Sequence, residues 1–285
     1  MNTQDHHIET ISAALGLRKT QVEKTAALLD DGATIPFIAR YRKEATGSLD
    51  EIAVSSISEQ LSKLVELDNR RDAIKQSLQK QELLTADLVK QLDQAQSLTL
   101  LEDIYLPFKP KRRTRGMIGR EKGLEPLAEL IYHQSNNPLS AEAFVSDENN
   151  VASPEEALAG AKDIIAENVS EHRETRQRLR HLFSTTAVVS SSVVKKKQEE
   201  AVKYRDYFDW SEPVTRIPGH RVLALLRGED QKFLRISIRP EEERALRVLS
   251  DLHIKKPFHK ALLKEALEDS YKRLIAPSLE NELRA

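Results

Sequence analysis

The sequence predicts a mainly α-helical protein with one long helix and a very small β element. Apolar residues recur at helical spacing along nearly the whole chain. Nine glycines and an aromatic content of 5% suit helices better than β-sandwiches. The best strand candidate is KFLRISIR, at 232–239, which alternates apolar and polar residues. A length of 285 residues allows one large domain or two ordinary domains.

Two short helices are predicted at the start of the chain, at 8–15 and 22–29, each followed by a glycine. Two short helices joined at a glycine allow a helix-turn-helix-like interpretation. In that interpretation the second helix exposes four polar residues: Arg18, Lys19, Gln21 and Lys24. The alternative is a pair of packed core helices with a solvated outer face, because any two short helices fit so loose a pattern.

The segment after them predicts one more short helix. Pro36 suits the first turn of a helix, and Phe37, Ile38 and Tyr41 are expected to pack beneath it. Three cations crowd the turn that follows: Arg40, Arg42 and Lys43.

A long helix is predicted to begin at Ser48 and Glu51, which fit a capping box. In such a box the serine oxygen accepts the backbone N–H three residues on, and the glutamate reaches back. Apolar positions at helical spacing carry the helix to about residue 81. At 1.5 Å per residue it is about 45 Å long, which suits a strut better than a core element.

Further helices are predicted before the middle of the chain. Thr85 is a candidate N-cap, and 98–104 is apolar and helical. The prolines of PFKP then stop helices and favour an extended path. A short helix at 117–122 is expected to end at Gly123.

The most polar connection in the chain, 133–156, is a candidate boundary. We expect an N-terminal helical region at 1–135 and a second helical region, with the small β element, at 150–285. Ser153 and Pro154 are typical of a helix start and begin the second region.

Three segments late in the chain are harder to assign. The serine-rich, β-branched run 184–194 is expected to be a loop or a short strand. Residues 195–210 are expected to return to helix. Residues 217–230 fit a helix or a strand, and we expect a helix because their apolar side chains share one face. Two helices are expected to close the chain.

No motif for catalysis or for a cofactor is present. The absence of cysteine excludes disulfides, thiolate zinc sites and cysteine nucleophiles. The sequence has no P-loop and no G-x-S-x-G elbow, and its eight histidines are scattered without metal-ligand spacing. We therefore expect no catalytic residue, no metal, no cofactor and no small-molecule substrate. A hydrolase acting on nucleic acid would need clustered carboxylates holding two metals, and none is identified.

The sequence shows no sign of export or of membrane insertion. The N-terminus lacks a basic region followed by an apolar core, so no secretory signal is visible. No run of 18 apolar residues occurs, so no membrane-spanning helix and no membrane partner are expected. The expected setting is the cytoplasm.

A basic segment at 109–122 is the strongest local feature. Its seven cations face a single acid, Glu121, in a chain whose net charge is −1. The cations are Lys109, Lys111, Arg112, Arg113, Arg115, Arg120 and Lys122. In one interpretation the segment contacts a polyanion, and Tyr105 and Phe108 stack on unpaired bases. In the other the aromatic residues are buried, and the arginines bond helix C-terminal carbonyls or carboxylates such as Glu102 and Asp103.

Three stretches of the chain carry a resemblance to a known family: TIPFIARYRKEATGSLDE (34–51), LEDIYLPFKPKRRTRGMIGREKGLEPLAELI (101–131) and YRDYFDWSEPVTRIPGHRVLALLRGE (204–229). They resemble the Tex family of bacterial transcription accessory proteins, and the resemblance covers essentially the whole chain. It implies an elongated, mostly helical, non-catalytic protein that associates with nucleic acid and with transcription. It also implies that the family's RNase H-like, helix-hairpin-helix and C-terminal OB-fold RNA-binding domains are absent from this chain.

The partner that the resemblance implies is nucleic acid, either RNA or DNA. The OB-fold is expected to carry much of the affinity, so binding by this chain alone is expected to be weak or absent. The expected protein partners are RNA polymerase or other factors associated with transcription or with the ribosome.

Two functional hypotheses remain open. In the first, the chain is a nucleic-acid-binding module that contacts phosphates without reading sequence. Its site is the seven cations of the basic segment, assisted by Arg40, Arg42 and Lys43. In the second, the same charges lock helices together, and the chain is a docking scaffold that positions the missing domains. Exposed charges favour the first hypothesis, whereas charges paired within the fold favour the second.

Overall fold

A computed structural model describes residues 3–136 and 140–284. Within them the protein has fifteen α-helices and one three-stranded sheet, which confirms the mainly α prediction. The chain forms two compact units, of which the first ends at Phe108 and the second begins at Lys109. Compactness alone does not delimit a domain, so the division at 1–135 and 150–285 stays a prediction. Part of the polar connection, 137–139, lies outside the described residues, as do 1–2 and 285.

Five helices open the first unit: α1 (Thr3–Leu15), α2 (Lys19–Asp30), α3 (Ile35–Tyr41), α4 (Lys43–Thr46) and α5 (Glu51–Lys80). Their shared core includes Ile11, Val22, Ile38 and Ile57, which are fully buried. Helices α1 and α2 are joined through Gly16, whose φ of +65° suits a residue without a Cβ. The helix-turn-helix-like interpretation of this pair stays a prediction.

The predicted start of the long helix is wrong by two residues. Asp50, and not Ser48, is the N-cap of α5, and its side chain accepts a hydrogen bond from Ala53 N at 2.8 Å. Gly47 and Ser48 both have a left-handed backbone, with φ near +65°. An N-cap residue needs an extended backbone, so the turn that ends α4 prevents Ser48 from capping.

The first unit has a second apolar cluster, built on the C-terminal half of α5. Two helices pack there: α6 (Ala86–Gln94) and α7 (Leu98–Tyr105). The predicted cap at Thr85 is confirmed, since its hydroxyl accepts a hydrogen bond from Leu88 N. Tyr105 is buried in this cluster, and its hydroxyl lies 2.8 Å from Ser77 Oγ on α5.

The second unit is organised around one central helix, α10. Its first helices are α8 (Arg115–Glu121), α9 (Glu125–Tyr132), α10 (Pro154–Glu171) and α11 (Arg173–Thr186). Helix α12 (Gly219–Asp230) follows the second strand. The last three helices are α13 (Glu242–His253), α14 (Lys260–Asp269) and α15 (Ala276–Arg284). Ser153 caps α10 as predicted, and Ile164 of α10 is buried with Leu127 of α9 and Leu263 of α14.

A three-stranded antiparallel sheet completes the second unit. Its strands are β1 (Val188–Val193), β2 (Asp209–Pro213) and β3 (Leu234–Arg239), in the order β2-β1-β3. Ser191 in the central strand lies opposite Trp210 on one side and Ile236 on the other. Helix α12 packs Leu225 into the cluster against this sheet. The strand predicted at 232–239 and the helix predicted at 217–230 are both confirmed.

The helix predicted for 195–210 is wrong. This segment forms two short 3₁₀ turns, Lys195–Lys197 and Val202–Tyr207, and then enters β2. It connects the central strand to an edge strand, and Tyr204 is buried against the sheet. Burial against the sheet and pairing with β1 therefore override the local helical pattern.

Across 3–136 and 140–284, no helix combines the length and the apolar character needed to cross a lipid bilayer.

Candidate nucleic-acid interface

The basic segment runs up to α8 and then along it, and α8 packs directly against α10. Glycines allow this close approach. A Cβ on Gly119 would lie 2.8 Å from the carbonyl oxygen of Gly160, and a Cβ on Gly116 would lie 2.0 Å from Glu167 Oε2. Both distances are shorter than a carbon atom tolerates. A larger residue at position 119 would push the two helices apart because it meets backbone, whereas one at position 116 would displace the Glu167 side chain.

A buried carboxylate, Glu167 on α10, binds three residues of the basic segment and its helix. Its side chain is 8% exposed. It accepts hydrogen bonds from Lys111 Nζ at 3.1 Å, from Thr114 Oγ1 at 3.1 Å and from Arg120 Nη1 at 3.2 Å. Burial opposes its ionisation, but Lys111, Thr114 and Arg120 together hold the pKa of Glu167 below its usual value. We call this group the Glu167 cluster.

The ion pairs continue on either side of the Glu167 cluster. Lys111 also contacts Glu171, one turn further along α10, where burial raises the pKa of the carboxyl group despite that contact. Arg120 donates to Asn168 Oδ1 at 2.6 Å. Lys122 contacts Glu156, at the start of α10. These contacts join α8 to α10 along most of its length.

The remaining cations of the basic segment face solvent. Lys109, Arg112, Arg113 and Arg115 are exposed. Arg113 pairs with Glu121 at 2.5 Å, and both side chains are largely exposed. Arg112 and Arg115 make no ion pair within 4 Å with any residue that the structure describes.

The two aromatic residues beside the basic segment are not placed for stacking on bases. Tyr105 is buried and hydrogen-bonded to Ser77, and Phe108 is half-buried against the same apolar cluster. Glu102 pairs with Arg70 of α5 at 2.5 Å. For these aromatic side chains the interpretation in which they are buried is therefore the one the structure supports.

A second group of cations lies in the first unit, at the junction of α3 and α4. Arg40, Arg42 and Lys43 are exposed, and none forms an ion pair within 4 Å among the described residues. Phe37 and Tyr41 are exposed beside them, by 40% and 69%. The prediction that these two aromatic residues pack beneath α3 is wrong, because Ile38 and Ala39 occupy the buried face of this short helix.

Sequence reasoning missed Glu167, although a signal was present. Glu167 follows Gly160 and Ile164 at helical spacing, so it lies on the stripe of α10 that faces α8. An acid on a buried stripe calls for a cation from a neighbouring element. The basic segment supplies two such cations, Lys111 and Arg120.

A buried chain of polar side chains in the second unit was also missed. His253, on α13, is 5% exposed. Its Nδ1 lies 3.0 Å from the Tyr132 hydroxyl, and its Nε2 lies 2.8 Å from Thr175 Oγ1. The Thr175 hydroxyl in turn lies 3.0 Å from Nδ1 of His172, the N-cap of α11. This chain joins α9, α11 and α13, and burial lowers the pKa of His253 to about 4.

No group of three or more histidine and carboxylate side chains suited to a metal ion is found within the described part of the chain.

Comparison with known proteins matches both parts of the chain to family profiles. The profile described as Tex-like protein N-terminal domain matches residues 5–79, and the profile described as Tex central region-like matches residues 133–285. The second match alone covers more than half of the chain.

Individual relatives agree with the profiles. The uncharacterized protein YdcI of Bacillus subtilis is 36% identical over 97% of this chain and 39% of its own length. The transcriptional accessory protein Tex of Neisseria gonorrhoeae is 41% identical over 80% of this chain and 30% of its own length. The human S1 RNA-binding domain-containing protein 1 is 26% identical over 90% of this chain and 27% of its own length.

The chain thus spans roughly a third of the length of the relatives it matches. Both compact units carry a match, and the matched ranges include the Glu167 cluster's acid and the exposed cations of α3 and α4. The chain belongs to the Tex family.

Proposed function

We propose that this chain is a non-catalytic helical platform within a nucleic-acid-associated transcription accessory factor. The observation that carries the proposal is the Glu167 cluster. Lys111 and Arg120 both direct their charge at one buried carboxylate on α10. Removing a partner from such a cluster leaves an uncompensated charge, so these cations are needed inside the fold.

Ion pairs within the fold reduce the number of cations in the basic segment that are available to bind phosphates. Lys111, Arg113, Arg120 and Lys122 are all in ion pairs with carboxylates of the same unit. A phosphate would have to displace these carboxylates, and at the Glu167 cluster the displaced group is buried. Only the exposed Arg113–Glu121 pair opens at little cost. The segment therefore suits fastening α8 to α10 better than binding a polyanion along its whole length.

Direct phosphate contact is the second candidate function, and exposure favours it for a subset of the cations. That subset is Arg112, Arg115, Arg40, Arg42 and Lys43. Exposed cations release counterions when they meet a nucleic-acid backbone, without reading its sequence. The gonococcal relative is named for an accessory role in transcription and the human relative for an RNA-binding domain, and we extend nucleic-acid association to this chain by that similarity.

Within the whole protein, the platform would orient further nucleic-acid-binding domains and contact the transcription machinery, with RNA polymerase as the candidate partner. A cytoplasmic setting belongs to the same proposal.

A salt titration of binding separates the two roles. The 285-residue chain is tested against a labelled single-stranded RNA and a labelled duplex DNA. Two variants are compared: Lys111→Ala with Arg120→Ala, and Arg112→Ala with Arg115→Ala. If the first pair of cations is structural, the first variant loses thermal stability and keeps the salt slope. If the second pair contacts phosphate, the second variant keeps its stability, and its slope falls by about 0.7 to 0.9 per lost contact.

The opposite pattern would overturn the platform proposal. That pattern is a Lys111→Ala, Arg120→Ala variant that melts like the wild type and loses salt-dependent binding. Absence of binding by the wild-type chain at low salt would remove direct phosphate contact and leave the platform role. Lys63→Ala is a matched control, because Lys63 is an exposed cation of α5 whose ion pair is with Glu59, one turn away.

A further inference from the structure

The exposed aromatic residues of α3 form a compact patch together with cations. Phe37 and Tyr41 are one helical turn apart, so their rings lie on the same face. The ring centroids are 5.5 Å apart, and the planes are tilted by 44°. The guanidinium carbon of Arg42 lies 5.2 Å from the centroid of the Phe37 ring. We call Phe37, Tyr41 and the cations Arg40, Arg42 and Lys43 the α3 patch.

Leaving large aromatic rings exposed to water is unfavourable, and packing against the core would normally bury them. Tyr41 is 69% exposed and Phe37 is 40% exposed, although both belong to a helix whose neighbouring residues are in the core. The Arg42 contact fixes the Phe37 ring from one side through a cation–π interaction. The result is a pair of neighbouring aromatic side chains that are open to solvent, as a binding surface requires.

The charge around the rings is positive. Between residues 36 and 48 there are three cations and one acid, Glu44. A fourth cation comes from a different element: Arg18, the N-cap of α2, has a guanidinium nitrogen 2.9 Å from where a Cβ on Gly47 would lie. The Arg18 side chain therefore adds to the positive charge beside α4.

We propose that the α3 patch binds single-stranded nucleic acid, with Tyr41 and Phe37 stacking on unpaired bases and the surrounding cations contacting phosphates. Stacking on aromatic rings beside a positively charged groove is how proteins hold single strands without sequence preference. In a duplex the base faces are already stacked, so the rings give no gain there. The inference rests on the proposed phosphate-contacting function and assigns it to a site and a strand form.

The test uses the whole 285-residue chain with two probes, a labelled oligouridine strand and a labelled duplex DNA. Tyr41→Ala is expected to weaken binding roughly 5- to 150-fold, the range for losing one stacked base. Its salt slope should match the wild type, because no cation is removed. Arg40→Ala with Lys43→Ala should instead lower the slope by about 0.7 per lost contact. Tyr41→Trp should restore the affinity, since an indole stacks at least as well as a phenol.

A matched control is available in the second unit. Phe258 is 39% exposed, almost as much as Phe37, and Phe258→Ala should leave oligouridine binding unchanged. Oligouridine binding that Tyr41→Ala does not weaken would overturn the inference and leave phosphate contact standing. Binding of duplex DNA without binding of oligouridine would also overturn the inference and leave phosphate contact standing. Absence of binding to either probe would overturn both the inference and the phosphate-contacting function.

Discussion

Nζ of Lys111 lies 3.1 Å from Oε1 of Glu167, a carboxylate whose side chain is only 8% exposed. The two residues are 56 positions apart in the chain. This pair joins the segment before α8 to the C-terminal part of α10, and it places part of the most basic stretch of the sequence inside the second unit. The stability of that unit should therefore depend on the acid as much as on the cations.

Glu167→Gln is expected to destabilise the protein by about 1 to 3 kcal/mol, because it removes the charge that Lys111 and Arg120 neutralise while keeping the shape of the side chain. The midpoint of urea unfolding measures the loss. Glu121→Gln serves as the control, since Glu121 pairs with Arg113 at the surface and its loss should change little. Equal midpoints for Glu167→Gln and the wild type would mean that the cluster does not stabilise the fold.

Gly119→Ala is expected to cost about 1 to 3 kcal/mol, the usual penalty for overpacking. The new Cβ would lie 2.8 Å from a backbone carbonyl oxygen, which cannot rotate away as a side chain can. Thermal unfolding provides the measurement. Gly219→Ala is the matched control: nothing lies within 4 Å of its Cβ position at the start of α12, so it should be neutral or slightly stabilising. A Gly119→Ala variant as stable as the Gly219→Ala control would mean that α8 does not pack closely against α10 at this position.

The sequence was informative wherever the deciding interactions are local. Apolar periodicity predicted the helices near 98–104 and 217–230, and alternation of apolar and polar residues predicted the strand at 232–239, because each of these segments buries one face. The segment 195–210 was misread because its structure depends on pairing with β1, which periodicity does not report. Ser48 was misread because a capping motif does not show that Ser48 itself, like Gly47, has a left-handed backbone.

The candidate site was only partly predictable, because some of its interactions join residues that are far apart in the sequence. A count of charges located the basic segment, but the acid that holds it, Glu167, is contributed by a distant helix. Burial of Tyr105 was one of two open interpretations and is the one observed, whereas Tyr41 was expected to pack and is exposed. Each has a proline and apolar residues within five positions in the sequence, and only the packing of the helices distinguishes them.

Two buried tyrosines should respond differently to loss of their hydroxyl groups. The Tyr271 hydroxyl has no hydrogen-bond partner among the described residues, and burial raises its pKa to about 12. Tyr271→Phe should therefore be neutral or stabilising. Tyr105→Phe removes a hydrogen bond to Ser77 and should cost about 1 kcal/mol. Urea unfolding of both variants measures the difference, and a larger loss for Tyr271→Phe would show that its hydroxyl is bonded in solution.

His253 should make the protein less stable as the solution becomes acidic. Burial lowers the pKa of the folded imidazole to about 4, whereas an unfolded histidine titrates near 6.5. The unfolded chain therefore binds a proton more readily, so the stability contributed by neutral His253 is complete above pH 6.5 and is lost as the pH falls toward 4. Between pH 7.5 and pH 5 the loss should be about 2 kcal/mol.

The neighbours of His253 explain why protonation of its imidazole is unfavourable in the folded protein. Its two ring nitrogens face the hydroxyls of Tyr132 and Thr175, and a neutral imidazole satisfies both by donating to one and accepting from the other. The imidazolium would donate at both nitrogens, with Lys255 and His172 adding repulsion and Glu174 only partly offsetting it. His253→Gln removes the titrating group, so its unfolding free energy should fall less than that of the wild type between pH 7.5 and pH 5. Parallel pH profiles for the two proteins would mean that His253 titrates normally in the folded chain.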